Sequence, residues 1–353
     1  MKAPLNPIVL LKDLGIGLDD ASGFPPSLLF CTLSIRKYAS TEDNMSNLTS
    51  LSTFLLWEFS ERRELQILYF FLFLVMYLIT IMGNLLIIVA VALDHHLHTP
   101  MYFFLTNLAM MDIGFVSVII PKFISNSIMN SRSISYSGCV AQVFFYFFFA
   151  ASDLFLLTVM AHDRYVAICN PLQYETIMHR GVCIQLAVTV WISSLLHSML
   201  HTCGTFANTF CSNTVNQFFC EIPKLLNLSC SDFYLVEVGL LLLSCVIALG
   251  CFIFIIITYM QIFSAVLSLP SVHGQKKALS TCLPHLTVVS LFMFSSLIAN
   301  ARPPTNASSG LDIAFAVIYT IIPPMLNPFI YSMRNKDIKI ALLKTLSRKF
   351  CSH

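Results

Sequence analysis

Seven stretches of the chain are almost free of charged residues, and their lengths predict helices that cross a membrane. A helix needs ~20 apolar residues to span a bilayer. The stretches cover residues 65–93, 100–121, 134–162, 181–220, 238–275, 278–301 and 313–333, and only Asp112 and Asp153 interrupt them. Residues 208–217 are rich in amide and hydroxyl side chains, which predicts an aqueous loop at the end of the fourth stretch. We therefore expect an all-α membrane protein, a seven-transmembrane helix bundle.

Composition supports lipid as the main solvent of the chain. Of the 353 residues, 57% are hydrophobic and 11% are charged, whereas about 25% charged residues is usual in soluble domains. The net charge of +2 gives no indication of a nucleic-acid partner. Twelve cysteines contain no CxxC pair, which argues against a zinc cluster or a redox motif.

Lysine and arginine are distributed unequally between the two sides of the predicted bundle. Ten lie in the connections and tail of one side: Arg164, Arg180, Lys276, Lys277, Arg334, Lys336, Lys339, Lys344, Arg348 and Lys349. Only four, Lys122, Arg132, Lys224 and Arg302, lie on the other. The positive-inside rule then predicts a cytoplasmic C-terminus and an extracellular N-terminus. The glycosylation sequons at Asn44, Asn47, Asn227 and Asn306 all fall on the predicted outer side.

The spans divide the chain into an extracellular tail (1–66), the bundle (67–333) and a cytoplasmic tail (334–353). Residues 1–44 are polar and Pro-rich and precede a second plausible start at Met45. We expect them to be disordered, and two interpretations stay open: a native part of the tail, or a non-native extension before a start at Met45. The cytoplasmic tail carries one apolar stripe among basic residues: Ile338, Ala341, Leu342, Thr345 and Leu346. That pattern predicts a short amphipathic helix on the inner leaflet.

The spans also carry short motifs in a fixed order. They are GN at 83–84, LHTPMYFFL at 97–105, MAHDRYVAIC at 160–169, TY at 258–259, KALSTCLPH at 277–285 and PMLNPFIY at 324–331. Through this series residues 45–350 resemble the vertebrate olfactory receptors, which are rhodopsin-like (class A) G-protein-coupled receptors. His162, Pro284 and Gln217 depart from the family pattern, which usually has Tyr, Ser and His there.

The resemblance implies an odorant receptor of the plasma membrane, with no catalytic residues. It implies that a small-molecule odorant binds within the bundle and that a stimulatory heterotrimeric G protein then raises cAMP. Arg164 would be held by Asp163 at rest and released on activation. The residues implied in coupling are Asp163, Arg164, Tyr165, Tyr259, His285, Asn327, Pro328 and Tyr331.

Asp112 and Asp153 are the only acids deep inside the predicted spans. A carboxylate at that depth is costly and needs a partner or a cation. The resemblance places Asn84 and Asn327 in the same cavity. Two interpretations stay open: a hydrated site that binds a sodium ion through Asp112 and Asp153, or a protonated and hydrogen-bonded acid. No other cofactor is expected.

Four cysteines lie on the predicted outer, oxidising side, where disulfides form. Spacing alone allows three pairings of Cys139, Cys211, Cys220 and Cys230. The resemblance implies Cys139–Cys220 and Cys211–Cys230, the first of which would pin the loop after span 4 over the bundle.

A mostly apolar ligand cavity is expected between spans 3, 5, 6 and 7. Its predicted lining is Tyr146, Phe147, Ala150, Ala151, Leu243, Ser244, Ile247, Met293, Ser296, Leu297, Asn300, Val317 and Thr320. Tyr146 stands where receptors for amines have an acid, and residues 313–333 contain no lysine for a retinal Schiff base. A neutral, largely apolar organic ligand is therefore expected.

Other function classes fit the sequence less well. A transporter or channel should show internal repeats or matching broken helices, and neither is visible. An intramembrane hydrolase would need a nucleophile beside a base. His197, His201 and His285 lie in or near spans, but no serine nucleophile motif accompanies them. A lone histidine in a span is usually a packing residue. A non-olfactory receptor of the same fold is the nearest alternative.

Overall fold

The computed structural model describes residues 52–57, 62–129, 131–231, 234–268, 272–300, 316–334 and 338–341. Seven long helices form a bundle: α1 Arg63–Leu93, α2 Pro100–Met129, α3 Tyr136–Cys169, α4 Arg180–Phe206, α5 Tyr234–Leu267, α6 Val272–Asn300 and α7 Ile322–Arg334. Residues 316–320 are also helical and lead into α7. Helices α1 to α5 are long and apolar enough to cross a membrane, and α6 and α7 complete the predicted seven.

The helices differ in how much of their surface lies inside the bundle. In α2, 61% of the most apolar 18-residue window is buried, whereas in α5 the share is 6%. A helix that is apolar on every face but little buried by protein has lipid as its solvent. Helix α2 is therefore central, and α5 lies at the periphery with much of its surface toward lipid.

Three short strands cover the end of the bundle that carries the disulfides, which we call the disulfide end. Strand β1 (Thr53–Leu56) pairs antiparallel with β2 (Ser133–Ser135) and parallel with β3 (Thr214–Val215). The Phe54 side chain is fully buried beneath this sheet, against the rings of Tyr136 and Phe210. Residues 53–56 belong to the predicted tail, so this part of the tail is an ordered component of the bundle's cap.

The opposite end, which we call the Arg164 end, has short connections. A 3₁₀ turn, His95–Leu97, joins α1 to α2, and Pro171–Gln173 with the helix Tyr174–Ile177 leads from α3 toward α4. Residues 338–341 are helical, with Ile338 and Ala341 buried. The rest of the predicted amphipathic helix, residues 1–44 and the sequons at Asn44, Asn47 and Asn306 lie outside the described residues. Asn227 is exposed at the disulfide end.

Pro328 of α7 and the neighbouring residues Gly83 and Asn84 of α1 form one contact between the two helices. Pro328 has no backbone N–H, so the Pro324 carbonyl cannot receive its helical hydrogen bond. The Asn84 side chain donates to that carbonyl over 3.2 Å. A Cβ on Gly83 would lie 2.9 Å from the Pro328 side chain. A glycine therefore lets the two helices approach closely enough for Asn84 to satisfy the carbonyl.

Candidate functional site

The two disulfides hold the loop between α4 and α5 over the bundle. Cys139 is bonded to Cys220 and Cys211 to Cys230, with Cα–Cα distances of 5.6 and 5.9 Å. Both pairings implied by the resemblance are confirmed. Buried Gln142 reinforces the first bridge, since its side chain accepts from the Cys220 N–H over 2.8 Å and donates to the Val118 carbonyl over 3.0 Å.

The residues beside Cys220 close the bundle with aromatic rings. Phe218 and Phe219 are buried, and Phe219 stacks on Tyr146 of α3 with ring centroids 5.6 Å apart. Tyr146 also packs against Phe115 of α2 at 5.2 Å. The predicted pocket residue Tyr146 therefore lies directly beneath this loop.

A carboxylate in the loop connects it to the segment before α7. Glu221 accepts a hydrogen bond from the Tyr319 hydroxyl over 2.8 Å and another from the Gln217 amide over 3.1 Å. The sequence interpretation included neither Glu221 nor Tyr319. The signal at Gln217 was its departure from the family pattern, and its amide is what reaches Glu221 here.

Predicted pocket residues of α3 and of 316–320 meet in the bundle interior, except Phe147, which packs against another buried cluster. Tyr146, Ala150 and Val317 pack against a single buried cluster, Ala151 is buried, and Thr320 is buried with its hydroxyl donating to the Ala316 carbonyl. Met293 of α6 is partly buried, against a different cluster. Phe147 stacks on His201 of α4, 4.5 Å between centroids. The side chains of Ser296, Leu297 and Asn300 lie outside the described residues.

Two predicted pocket residues of α5 need correction. Leu243 is 54% exposed and Ile247 is 37% exposed, so the bundle does not enclose them. Ser244 is partly buried and contacts His201 over 2.7 Å. Consecutive residues of a helix point about 100° apart, so Ser244 can face α4 while Leu243 faces away from it. Leu243 and Ile247 lie on the lipid-side surface of this peripheral helix.

A separate small pocket lies at the disulfide end, and none of the predicted pocket residues lines it. Strand β1, the first turns of α1 and the end of α2 surround it, and its lining includes Trp57, Gln66, Asn126 and Arg132. Arg63 braces this corner by donating to the Ser127 and Ile128 carbonyls at the end of α2, over 2.7 and 2.9 Å.

Two of the four polar residues predicted for a cation site, Asn327 and Asp112, are in contact. The Asn327 amide donates to both oxygens of Asp112, over 2.9 and 3.1 Å. Asp153 is close enough for its charge to act on Asp112. One oxygen each of Asn84, Asp153 and Asn327 is buried without a hydrogen-bond partner among the described residues. Because a buried oxygen without a partner is costly, this donor set fits a hard cation, which prefers oxygen ligands.

At the Arg164 end, a carboxylate and a guanidinium are buried together. Asp163 is 3% and Arg164 5% exposed. The Asp163 carboxylate accepts a hydrogen bond from the Tyr174 hydroxyl over 2.8 Å. Burial, and next the nearby Asp163 carboxylate, raise the pKa of Tyr174 well above its ordinary value. The phenol is therefore a donor at neutral pH, and Tyr174 is a partner of Asp163 that the sequence motif did not reveal.

Helices α5, α6 and α7 supply the neighbours of Arg164. The Tyr259 hydroxyl bonds to His285 Nδ1 over 2.8 Å, and the Arg164 charge acts on Tyr259, His285 and Tyr331. The buried Tyr331 hydroxyl has no hydrogen-bond partner among the described residues. Pro328 lies one turn before it in α7. Three predicted coupling residues, Tyr259, His285 and Tyr331, therefore lie near Arg164, and Tyr165 is partly buried.

Comparison with known proteins assigns this architecture. The sequence profile described as "Olfactory receptor" matches residues 73–349. The chain is 50% identical over 299 residues to human olfactory receptor 14A16, covering 84% of this chain and 96% of the relative. It is 48% identical over 310 residues to mouse olfactory receptor 1J21, covering 87% and 99%.

Among solved structures, squid rhodopsin superimposes with a TM-score of 0.65 at 16% identity, covering 81% of this chain and 86% of that one, which supports the fold. The sequence profile and the sequence relatives show the family as well as the fold. The chain belongs to the olfactory receptor family, whose members are membrane receptors and not enzymes.

Proposed function

We propose that this chain is an odorant receptor of the plasma membrane. A small, largely apolar organic molecule binds within the helix bundle, and the bound receptor activates a stimulatory heterotrimeric G protein that raises cAMP. The disulfide end faces the extracellular side, where cystine is stable. The Arg164 end faces the cytoplasm, as the excess of lysine and arginine on that side favours.

The observation that carries this proposal is the burial of Arg164 among residues of α5, α6 and α7. A buried guanidinium is costly unless its surroundings compensate for the lost water. Here the neighbours include the Tyr259–His285 pair and the unpartnered Tyr331 hydroxyl. A small movement of α6 or α7 changes those neighbours, so Arg164 can respond to events elsewhere in the bundle. A receptor that activates a G protein requires such a residue, whose surroundings change when the helices move.

The character of the ligand follows from the groups around Tyr146. Phe115 and Phe219 pack against its ring, and Tyr146 itself stands at the position in α3 where receptors for amines have an acid. An uncharged molecule loses little on leaving water for such surroundings, whereas an ammonium ion loses much. We therefore propose a neutral, volatile organic ligand.

We also propose that a sodium ion acts as an allosteric ligand between Asp112, Asp153, Asn84 and Asn327. The buried oxygens without partners support this assignment. A cation there would offset the repulsion between the two carboxylates and favour the state in which they stay close. Activation would then require the site to lose the ion or rearrange.

The proposal is tested in cells that carry a cAMP reporter and the epitope-tagged receptor. We expect at least one neutral volatile to raise cAMP in wild type, and Arg164→Ala to abolish that response at equal surface staining. Arg180→Ala, which removes an exposed arginine from the start of α4, is the control and should respond like wild type. A response confined to peptides or charged amines would contradict the proposed ligand class. An unchanged response in Arg164→Ala would contradict the proposed route to the G protein.

A further inference from the structure

A chain of four polar side chains links α4 to α5 beside the predicted ligand site. His197 and His201 are four residues apart and therefore lie on the same face of α4. Glu237 and Ser244 face them from α5. The distances are 2.6 Å from Glu237 Oε1 to His201 Nδ1, 2.7 Å from His201 Nε2 to Ser244 Oγ, and 3.5 Å from Ser244 Oγ to His197 Nε2.

A glycine makes the first contact possible. Any Cβ at position 204 would collide with Glu237 Oε2 and come within 3.1 Å of Leu240. Glu237 is fully buried, and its Oε2 has no hydrogen-bond partner among the described residues. An ionised carboxylate with one oxygen in that state is costly, and the neutral acid is less so. The favoured arrangement is therefore a protonated Glu237 that donates to His201 Nδ1.

The direction of every remaining hydrogen bond follows from counting protons. The Ser244 hydroxyl has one hydrogen, and it donates this to the Leu240 carbonyl over 2.9 Å, because a carbonyl can only accept. Ser244 Oγ must then accept from both histidines. His201 accordingly carries its proton on Nε2, as does His197. A neutral imidazole with a proton on Nε2 has a bare acceptor at Nδ1.

That acceptor, unlike the buried Glu237 Oε2, belongs to a partly exposed side chain and is open to a ligand. Nδ1 of His201 is occupied by Glu237, whereas no described residue bonds to Nδ1 of His197. His197 is partly exposed and its ring lies 6.2 Å from Phe147, which also stacks on His201. Phe147 and Ser244 are both predicted to line the ligand cavity. The open acceptor therefore lies at the edge of that cavity.

We propose that His197 is a ligand-binding residue whose Nδ1 accepts a hydrogen bond from a neutral hydroxyl compound, such as an aliphatic alcohol. His201, Ser244 and Glu237 are positioning residues, because they fix the tautomer of His197. The inference rests on the proposed function and narrows its ligand class from apolar volatiles in general to those that carry a hydroxyl donor.

The test compares straight-chain primary alcohols of about six to ten carbons with their methyl ethers, in the same cAMP reporter cells. An ether keeps the oxygen and the apolar chain but has no hydrogen to donate. We expect wild type to respond to its best alcohol at a concentration about tenfold lower than to the matched ether, the cost of leaving one hydrogen-bonding group unpaired.

Substitutions at His197 and at Glu237 distinguish the ligand-binding residue from a positioning residue by their effect on the preference for alcohol over ether. In His197→Phe the alcohol and the ether should act at concentrations within about twofold of each other, because the acceptor is lost. His197→Gln retains an acceptor oxygen and should keep most of the preference. His179→Phe, at the exposed residue just before the same helix, should keep all of it. Glu237→Gln should preserve the preference and Glu237→Leu reduce it, since an amide can donate to His201 Nδ1 and leucine cannot.

The outcomes distinguish a failure of the role proposed for His197 from a failure of the proposed odorant receptor function. An unchanged alcohol preference in both His197→Phe and Glu237→Leu, at normal surface staining, overturns this inference and leaves the odorant receptor intact. So does a wild type that responds to hydrocarbons or esters and to no alcohol. A wild type that reaches the surface and responds to no volatile contradicts the proposed function itself. If His197→Phe fails to reach the surface, Ser244→Ala provides the same comparison, because it removes the acceptor that fixes the His197 tautomer.

Discussion

Replacing Tyr174 by phenylalanine should increase the activity of the receptor in the absence of ligand. The substitution removes one hydroxyl and keeps the ring. That hydroxyl donates to the buried Asp163 carboxylate over 2.8 Å, beside the residue proposed to communicate with the G protein. If the contact belongs to the resting arrangement, its loss destabilises that arrangement alone.

The size of the effect follows from the hydrogen bond. A hydrogen bond to a charged group contributes about 1.5–3 kcal/mol, and each 1.4 kcal/mol changes an equilibrium tenfold. The ratio of active to resting receptor should therefore increase about 10-fold to 150-fold. From a resting population with about 1% active receptor, a tenfold shift already gives about 10%. Basal cAMP should rise in proportion, and the response to ligand should shrink because less resting receptor remains.

The assay measures basal cAMP per receptor at the cell surface. Tyr77→Phe is the matched control, since the Tyr77 hydroxyl is also partly buried and hydrogen-bonded, to Ser117 over 3.2 Å, but lies in α1 far along the chain from Asp163. Tyr77→Phe should leave basal cAMP near the wild-type level. Equal basal cAMP in wild type and Tyr174→Phe would show that the contact does not favour the resting arrangement, and would refute the reasoning.

Two further predictions concern packing and the polar site. Gly114→Ala should lower the thermal denaturation midpoint in detergent, since the added methyl overlaps the Phe149 ring and overpacking costs about 1–3 kcal/mol. The control Gly239→Ala, with no atom within 4 Å of the new Cβ, should not lower the midpoint. Equal losses in both variants would rule out a steric cause. Sodium titration should raise the denaturation midpoint of wild type and leave that of Asp112→Asn nearly unchanged, because the variant lacks the carboxylate that Asn327 orients. Equal responses of the two proteins would argue for a protonated acid in place of a cation.

The sequence was sufficient for the architecture and for the contacts that a motif carries. Charge-free stretches located all seven helices, and the family resemblance paired Cys139 with Cys220 and brought Asn327 to Asp112. Membrane helices can be located in this way because the bilayer forces backbone groups to pair within each helix. Composition then indicates a span without any knowledge of its neighbours.

The orientation of a side chain around its helix could not be predicted so reliably. In water, an apolar stripe shows which face is buried, but a helix in lipid is apolar on all faces. Nothing in the pattern of α5 distinguished Ser244, which meets α4, from Leu243, which is exposed. Contacts across long separations were equally hidden: Tyr319 and Glu221 are 98 residues apart, and both are ordinary residues in their own segments.

The Glu237–His201 contact was missed because charge-free stretches do not give the correct start of a helix. A stretch defined by the absence of charge begins after the last charged residue, so Glu237 was placed outside the fifth span. Helix α5 in fact begins at Tyr234, which puts Glu237 in its first turn and fully buried. His201 was interpreted as a packing residue because no partner was visible within its own span. An acid at the edge of one span and a histidine in a neighbouring span should therefore be considered together, since burial makes each costly without the other.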